Sequence, residues 1–188
     1  MLEDTLRATE KAGAIGRYLF WAGAPAELTG FPTPSGVLVR EQSGADLGER
    51  LRRGFDELLE GPEDRAVAIG ADCPELGADV ISEAFEALEN CDLALGPVSD
   101  GGYYLIALRR RAPELFDGVA WGSDRVLEQT LERAKRSRLA VGLLSGLHDL
   151  DTPDDLVRFA ARHAFSADAI GQHTIAALRA MGLLPAPA

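Results

Sequence analysis

The run AVAIGADCP, residues 66 to 74, constrains the fold most. Small and branched apolar residues lead into Asp72, and Pro74 stops regular structure. An apolar run of this length, bounded by turn residues, reads as a strand buried on both faces. Such strands belong to mostly parallel sheets with helices on both sides. The rest of the chain repeats the pattern. GRYLFWAG (16–23), VLVREQ (37–42), DLALGPV (92–98), GGYYLIAL (101–108) and LAVGLL (139–144) read as further strands. Between them the apolar residues recur at helical spacing: Leu2 and Leu6, ended by Gly13; Leu47, Leu51, Phe55 and Leu58; Val80, Ile81, Ala84 and Leu88; Val126, Leu127, Thr130 and Ala134. Ser123 is placed to cap the last of these. Thr152, Pro153 and Asp155 form the opening of a helix that buries Leu156 and Phe159. Ser166 opens a final helix on Ile170, Ile175 and Leu178, closed by Gly182, and the tail LLPAPA frays. The expectation is a three-layer α/β/α domain around a mostly parallel sheet. Residues 1–165 carry it, and 166–188 add a C-terminal helix and tail to the same domain.

A chain of 188 residues sustains one core, burying roughly 70% of its unfolded surface. The net charge of −11, from 19 basic and 30 acidic residues, speaks against a nucleic-acid binder. It leaves room for a nucleotide, provided a divalent cation stands between carboxylates and phosphates. No stretch is long and apolar enough to span a bilayer, and the first residues do not form a signal peptide. Cys73 and Cys91 have no metal-like spacing and are expected to be free thiols in a reducing, cytoplasmic setting.

In a parallel sheet, ligands bind outside the carboxyl ends of the strands. Asp72 stands at such an end. Asp100 in SDGGYYLI and the pair Asp149 and Asp151 in HDLDTPDDL follow strands in the same way. Hard cations such as Mg²⁺ or Mn²⁺ take oxygen ligands, commonly one or two carboxylates plus substrate phosphates. Each aspartate also has a plain structural reading: Asp72 as a cap, Asp151 as a turn former before Thr152, Asp100 as part of a tight turn. The three sites together, in one α/β chain, are more specific than any alone.

GADCPEL, ALGPVSDGGYYLIAL, WGSDRVLEQTLERA and DLDTPDDL together resemble a bacterial group of glycosyltransferase-A-fold proteins. That group is similar in fold to molybdopterin and phospholactate guanylyltransferases. The resemblance covers roughly residues 1–162. It implies that Asp72 and Asp151 hold the metal. It places Gly101, Gly102 and Tyr103 at acceptor or sugar contacts, with Asp100 as the candidate catalytic base. It places Trp121 and Ser123 in a segment at a helix start whose free N–H groups suit an anion. Gln42, Gly44 and Arg50 would lie near the nucleotide.

The chain departs from that pattern at its start. Family members begin with a central apolar strand and a basic, Pro/Gly-containing phosphate loop, whereas MLEDTLRATE matches the helix after that loop. Neither WAGAPAELTG (21–30) nor LRRGF (51–55) replaces it. An N-terminally truncated domain is therefore expected, with a gap in the sheet or exposed strand edges. Its neighbours would pair directly, or copies would associate as a homo-oligomer. His148, His163 and His173 are expected at the surface, and Cys73 has no partner for nucleophilic catalysis.

Three readings follow. The first is a metal-dependent glycosyltransferase using a nucleoside-diphosphate sugar with Mg²⁺ or Mn²⁺. The second is a nucleotidyltransferase joining a nucleoside triphosphate to a phosphorylated small molecule. The third is a non-catalytic relative of the fold. Nucleic-acid and membrane partners are not expected in any of them.

Overall fold

The computed structural model describes residues 1–23, 33–163 and 170–184. Most of the loop expected after the first strand (24–32), the expected start of the last helix at Ser166 and the end of the tail (185–188) lie outside the described residues. Helix α1 (Leu2–Glu10) leads to β1 (Arg17–Trp21) and β2 (Val37–Glu41), followed by α2 (Leu47–Leu58), β3 (Ala66–Ile69) and α3 (Ala78–Ala87). Strands β4 (Leu93–Pro97) and β5 (Tyr103–Leu108) come next, then a 3₁₀ turn at Pro113–Leu115, α4 (Val126–Arg136) and β6 (Val141–Leu143). Helices α5 (Pro153–His163) and α6 (Gln172–Ala180) close the described chain.

Strands β3, β5, β4 and β6 form one sheet in that order. Strand β5 runs against both neighbours, while β4 and β6 are parallel, so β3, β4 and β6 share one direction. Their carboxyl ends consequently meet at a single edge. Side-chain alternation builds a core on each face. Leu93, Leu95, Ile106 and Leu108 pack with Phe55 of α2 and Ala134 of α4. Ala94, Leu105 and Ala107 face the other way, with Ile81, Ala84 and Leu88 of α3 and Ala8 of α1. These two cores make the three expected layers.

Strands β1 and β2 form a separate parallel pair, with Arg17 opposite Val37 and Trp21 opposite Glu41. Among the described residues, strands β1 and β3 do not pair directly. Helix α2 ties the two sheets together. It packs on β3, Glu57 meets Arg40 of β2 at 3.1 Å, and a Cβ at Gly54 would lie 3.8 Å from the Phe20 ring of β1.

Helix α6 docks on α1 through a buried carboxylate. Asp4 accepts N–H bonds from His173 (2.8 Å) and Thr174 (2.9 Å) and the Thr174 hydroxyl (2.7 Å). Those are donors of the first turn of α6, which has no cap of its own. Phe159 of α5 joins Ile175 and Leu178 in a third, smaller core. No helix among the described residues is long and apolar enough to cross a membrane.

Candidate active site at the carboxyl edge of the sheet

Each of the four aspartates follows one of the co-directional strands. Asp72 comes three residues after β3, Asp100 three after β4, and Asp149 and Asp151 after β6. Asp100, Asp149 and Asp151 each bring a carboxylate oxygen within 4.8 Å of the others. Sheet order explains this grouping. Strands β4 and β6 are neighbours, so their following loops converge. Strand β5 stands between β3 and β4, which sets Asp72 two strand spacings away. Asp72 instead turns its Oδ1 back towards Gly70, where a Cβ would lie only 2.6 Å from it. It keeps a link to the cluster through the backbone, since Leu150 N–H donates to the Asp72 carbonyl at 3.0 Å. Asp100 and Asp149 thus join Asp151 in this group, and Asp72, whose charge also acts on Asp151, stands beside it.

The signal for Asp149 was present in HDLD. Residues two apart in extended chain share a side. Leu150, between the two aspartates, is buried while they face outward. Electrostatics fit the geometry. Burial, then the Asp100 carboxylate, raise the Asp149 pKa above its usual value. Asp151 is raised by burial and then by Asp72 and Asp100. Crowded carboxylates with no basic partner among them resist ionising together. A hard divalent cation relieves that repulsion, and three carboxylate oxygens are a donor set suited to Mg²⁺ or Mn²⁺.

The SDGG turn is held in place from two sides. Asp100 Oδ1 accepts the Gly102 N–H at 2.9 Å. Gly101 has φ +92°, and a Cβ there would lie 1.9 Å from the Asp124 carbonyl oxygen. Its own carbonyl accepts the Leu127 N–H at 2.8 Å. The expected contact segment WGSDRV therefore acts here as the bed on which the Asp100 turn rests. Helix α4 starts later than expected, with Arg125 rather than Ser123 at its N-cap. Ser123 is tied into the preceding turn instead. Its hydroxyl donates to the Ala120 carbonyl at 2.7 Å and accepts the Arg125 N–H at 3.3 Å.

Tyr103 and Trp121 pack against the core under α2 and α4. Their rings meet edge-on at 6.4 Å, and Trp121 stacks on Phe116 at 6.5 Å. Burial raises the pKa of the Tyr103 hydroxyl, which lies by Thr130. Gly44 and Arg50 meet at the start of α2, and Gln42 stands just after β2. Gly44, at φ +148°, brings its backbone so close that a Cβ would sit 2.8 Å from the Arg50 nitrogen. Arg50 Nε donates to the Gly44 carbonyl at 3.3 Å, and Gln42 N–H to the Trp21 carbonyl at 2.8 Å. A cavity of about 260 Å³ opens at the start of α2, lined by Asp46, Glu49 and Arg52 and by Phe116 and Asp117 across from it.

Cys73, beside Asp72, is buried, and its thiol donates to the His148 carbonyl at 3.3 Å. Burial, then the Glu75 and Asp72 carboxylates, push its pKa up to about 12. A thiol held protonated in this way is no nucleophile.

Residues 5–123 match the model of a bacterial family described as an uncharacterized protein conserved in bacteria, DUF2064. The chain belongs to that family. Asp72 and Asp100 lie inside the matched segment, and Asp149 and Asp151 beyond it. A curated relative, phosphoenolpyruvate guanylyltransferase of Sphaerobacter thermophilus, is 29% identical over 162 residues, covering 85% of this chain and 77% of that protein. Among solved structures, a candidate nucleotide-diphospho-sugar transferase from Desulfovibrio desulfuricans superposes with TM-score 0.79 at 28% identity. It covers 96% of this chain and 80% of its own. The fold also matches 4-diphosphocytidyl-2C-methyl-D-erythritol synthase, with TM-score 0.56 at 18% identity, covering 85% and 88% of the two chains. The fold is that of the nucleotide-diphospho-sugar transferases, of glycosyltransferase-A type. Fold and relatives together support a function of nucleotidyl- or glycosyltransferase type.

Proposed function

We propose that this chain is a divalent-metal-dependent transferase of nucleotide-activated substrates, with Asp100, Asp149 and Asp151 as the metal-holding residues. The observation that carries the reading is the convergence of these three carboxylates where co-directional strands end. A bound Mg²⁺ or Mn²⁺ would neutralise charge developing on a leaving phosphate group. The chain's own part is to fix the ligands. Gly101 and the 121–126 segment hold Asp100, while buried Leu150 holds Asp149 and Asp151 on either side of it.

Two donors fit such a site, a nucleoside-diphosphate sugar or a nucleoside triphosphate. Inverting glycosyl transfer to a hydroxyl needs a free base, the role expected of Asp100. Asp100 is instead committed, with one oxygen bonded to Gly102 N–H and the carboxylate inside the cluster. This favours nucleotidyl transfer to an acceptor that is already an oxyanion. The guanylyltransferase relative supports the same direction. Glycosyl transfer from a nucleotide sugar is the second reading, supported by the Desulfovibrio structure.

Thermal unfolding with a panel of nucleoside triphosphates and nucleotide sugars, with and without Mn²⁺, tests both. A ligand at 100 times its Kd adds about 2.7 kcal/mol, a rise of roughly 2–4 °C per kcal/mol for a domain of this size. A Mn²⁺-dependent rise that is lost in Asp151→Asn supports the metal reading, and the ligand giving it separates the two donors. No rise with any nucleotide removes the transferase reading and leaves the non-catalytic one.

A further inference from the structure

Beside the carboxylate cluster lies a cavity of about 110 Å³, lined by Ser99, His148, Asp149, Asp155, Arg158 and Arg162. It shares a wall with the cluster, because Asp149 belongs to both and Ser99 precedes Asp100. The size is informative. At about 30 Å³ per water, it holds roughly three or four waters. That space accommodates one tetrahedral oxyanion.

The lining has the matching chemistry. Arg158 and Arg162 stand one helical turn apart on α5, so they share a face. Each is steadied by a single carboxylate. Arg158 Nη1 meets Asp155 at 3.2 Å, and Arg162 meets Glu75 through Nε at 2.9 Å and Nη2 at 2.8 Å. A guanidinium carries five N–H donors. Arg158 has therefore spent one nitrogen and Arg162 two, and among the described residues no other acceptor takes the rest. Asp155 is itself fixed by the Thr152 hydroxyl and N–H at 2.6 and 2.9 Å. His163 shares Glu75 with Arg162, at 2.8 Å. The forks are thus held by their partners with donors left over.

We infer that this cavity binds the phosphate of a phosphomonoester acceptor, with Arg158 and Arg162 donating to its oxygens beside the metal-holding carboxylates. The inference rests on the nucleotidyl-transfer reading and gives the phosphorylated acceptor of that reading its place in the fold. The step then balances without a protein base. A phosphomonoester is largely dianionic near pH 7, its second pKa being about 6. One of its oxygens forms a bond to the α-phosphorus of the nucleoside triphosphate. The bond from that phosphorus to the β-bridging oxygen breaks, and pyrophosphate leaves with the electron pair. No proton has to be removed, which agrees with Asp100 serving the cluster.

Two titrations separate this site from the metal site. Mn²⁺ binding is followed by electron paramagnetic resonance in wild type, Asp151→Asn and Arg158→Ala/Arg162→Ala. Inorganic phosphate binding is followed by calorimetry in the same proteins, with and without Mn²⁺. Arg158→Lys/Arg162→Lys, which keeps the charges but loses the forks, serves as the milder variant, and circular dichroism checks each fold. The expected result is that the alanine pair weakens phosphate binding by about tenfold or more while Mn²⁺ binding is kept. The lysine pair falls between. Phosphate binding equal in wild type and the alanine pair, or absent from wild type, overturns the inference even where Mn²⁺ binds. Arginine-dependent phosphate binding in a protein that takes up no Mn²⁺ supports the anion cavity and overturns the metal reading.

Discussion

The two sheets of this molecule are built from similar apolar residues and live in different surroundings. In the four-stranded sheet, Leu93, Leu95, Leu105, Ile106 and Leu108 are almost wholly sealed from solvent. In the β1–β2 pair, Tyr18, Leu38 and Val39 are 37%, 49% and 42% exposed. The difference arises from neighbours rather than from propensity. Strands β4 and β5 have a partner on both edges and a helical layer on both faces. The β1–β2 pair joins the rest through α2, and among the described residues no strand pairs with the outer edge of β3. The active-site candidates follow the same division. All four aspartates sit on loops of the well-packed sheet, where a carboxylate can be held against its neighbours' repulsion. Gln42, Gly44 and Arg50 sit on the looser part.

If packing separates the sheets, the largest effect comes from the centre of the four-stranded one. Leu95→Ala should cost about 2–5 kcal/mol, lowering the melting temperature by about 2–4 °C per kcal/mol. A loss under 1 kcal/mol in chemical denaturation breaks the comparison.

Gly101→Ala comes next. It forces a left-handed residue and a clash with the Asp124 carbonyl, at about 1–3 kcal/mol for the strain. Because Asp100 rides on this turn, Mn²⁺ binding should weaken as well, and calorimetry reads both. An unchanged Mn²⁺ affinity would detach Asp100 from the metal site.

Asp149 sharpens the point with pH. Its folded pKa lies above the unfolded value, so the native state holds the proton more tightly. Stability from this group therefore grows as pH falls through the folded value, and ionisation above that value works against folding. Without metal, Asp149→Asn should melt higher than wild type at pH 7. The gap should close as pH drops below the ordinary carboxylate range, where both states are protonated. With saturating Mn²⁺ the order should reverse. Melting curves across pH, with and without Mn²⁺, check all three statements.

The smallest change is expected at Leu38. Leu38→Ala on the exposed face of β2 should stay within about 0.5 kcal/mol. Hydrogen exchange completes the test. The Gly70 N–H donates to the Tyr104 carbonyl, so alternation along the antiparallel ladder turns the Val67 and Ile69 N–H groups to the outer edge of β3. Those amides should exchange quickly while Ile106 in β5 is protected. Equal protection would mean that the β3 edge is covered in solution.

The elements themselves were legible in the residues. AVAI, LALGP and YYLIAL form strands where the apolar runs stand, and Thr152 with Asp155 caps α5 as their spacing implies. These are local matters, set by side-chain periodicity and by which groups can reach a neighbouring backbone. That carboxylates would stand at strand ends also followed from the sequence. Which of them would meet did not, because that depends on sheet order, and a strand's residues do not encode which strand lies beside it. Strand β5 stands between β3 and β4, so Asp72 reaches the edge from two strands away, while the adjacency of β4 and β6 brings Asp100 to Asp149 and Asp151. The same holds for Trp121 and Tyr103, whose types suit a substrate platform and whose partly buried rings pack against the core. It holds too for Arg158 and Arg162, which read as an ordinary charged helix face until α5 is laid against Glu75 and the edge of the sheet.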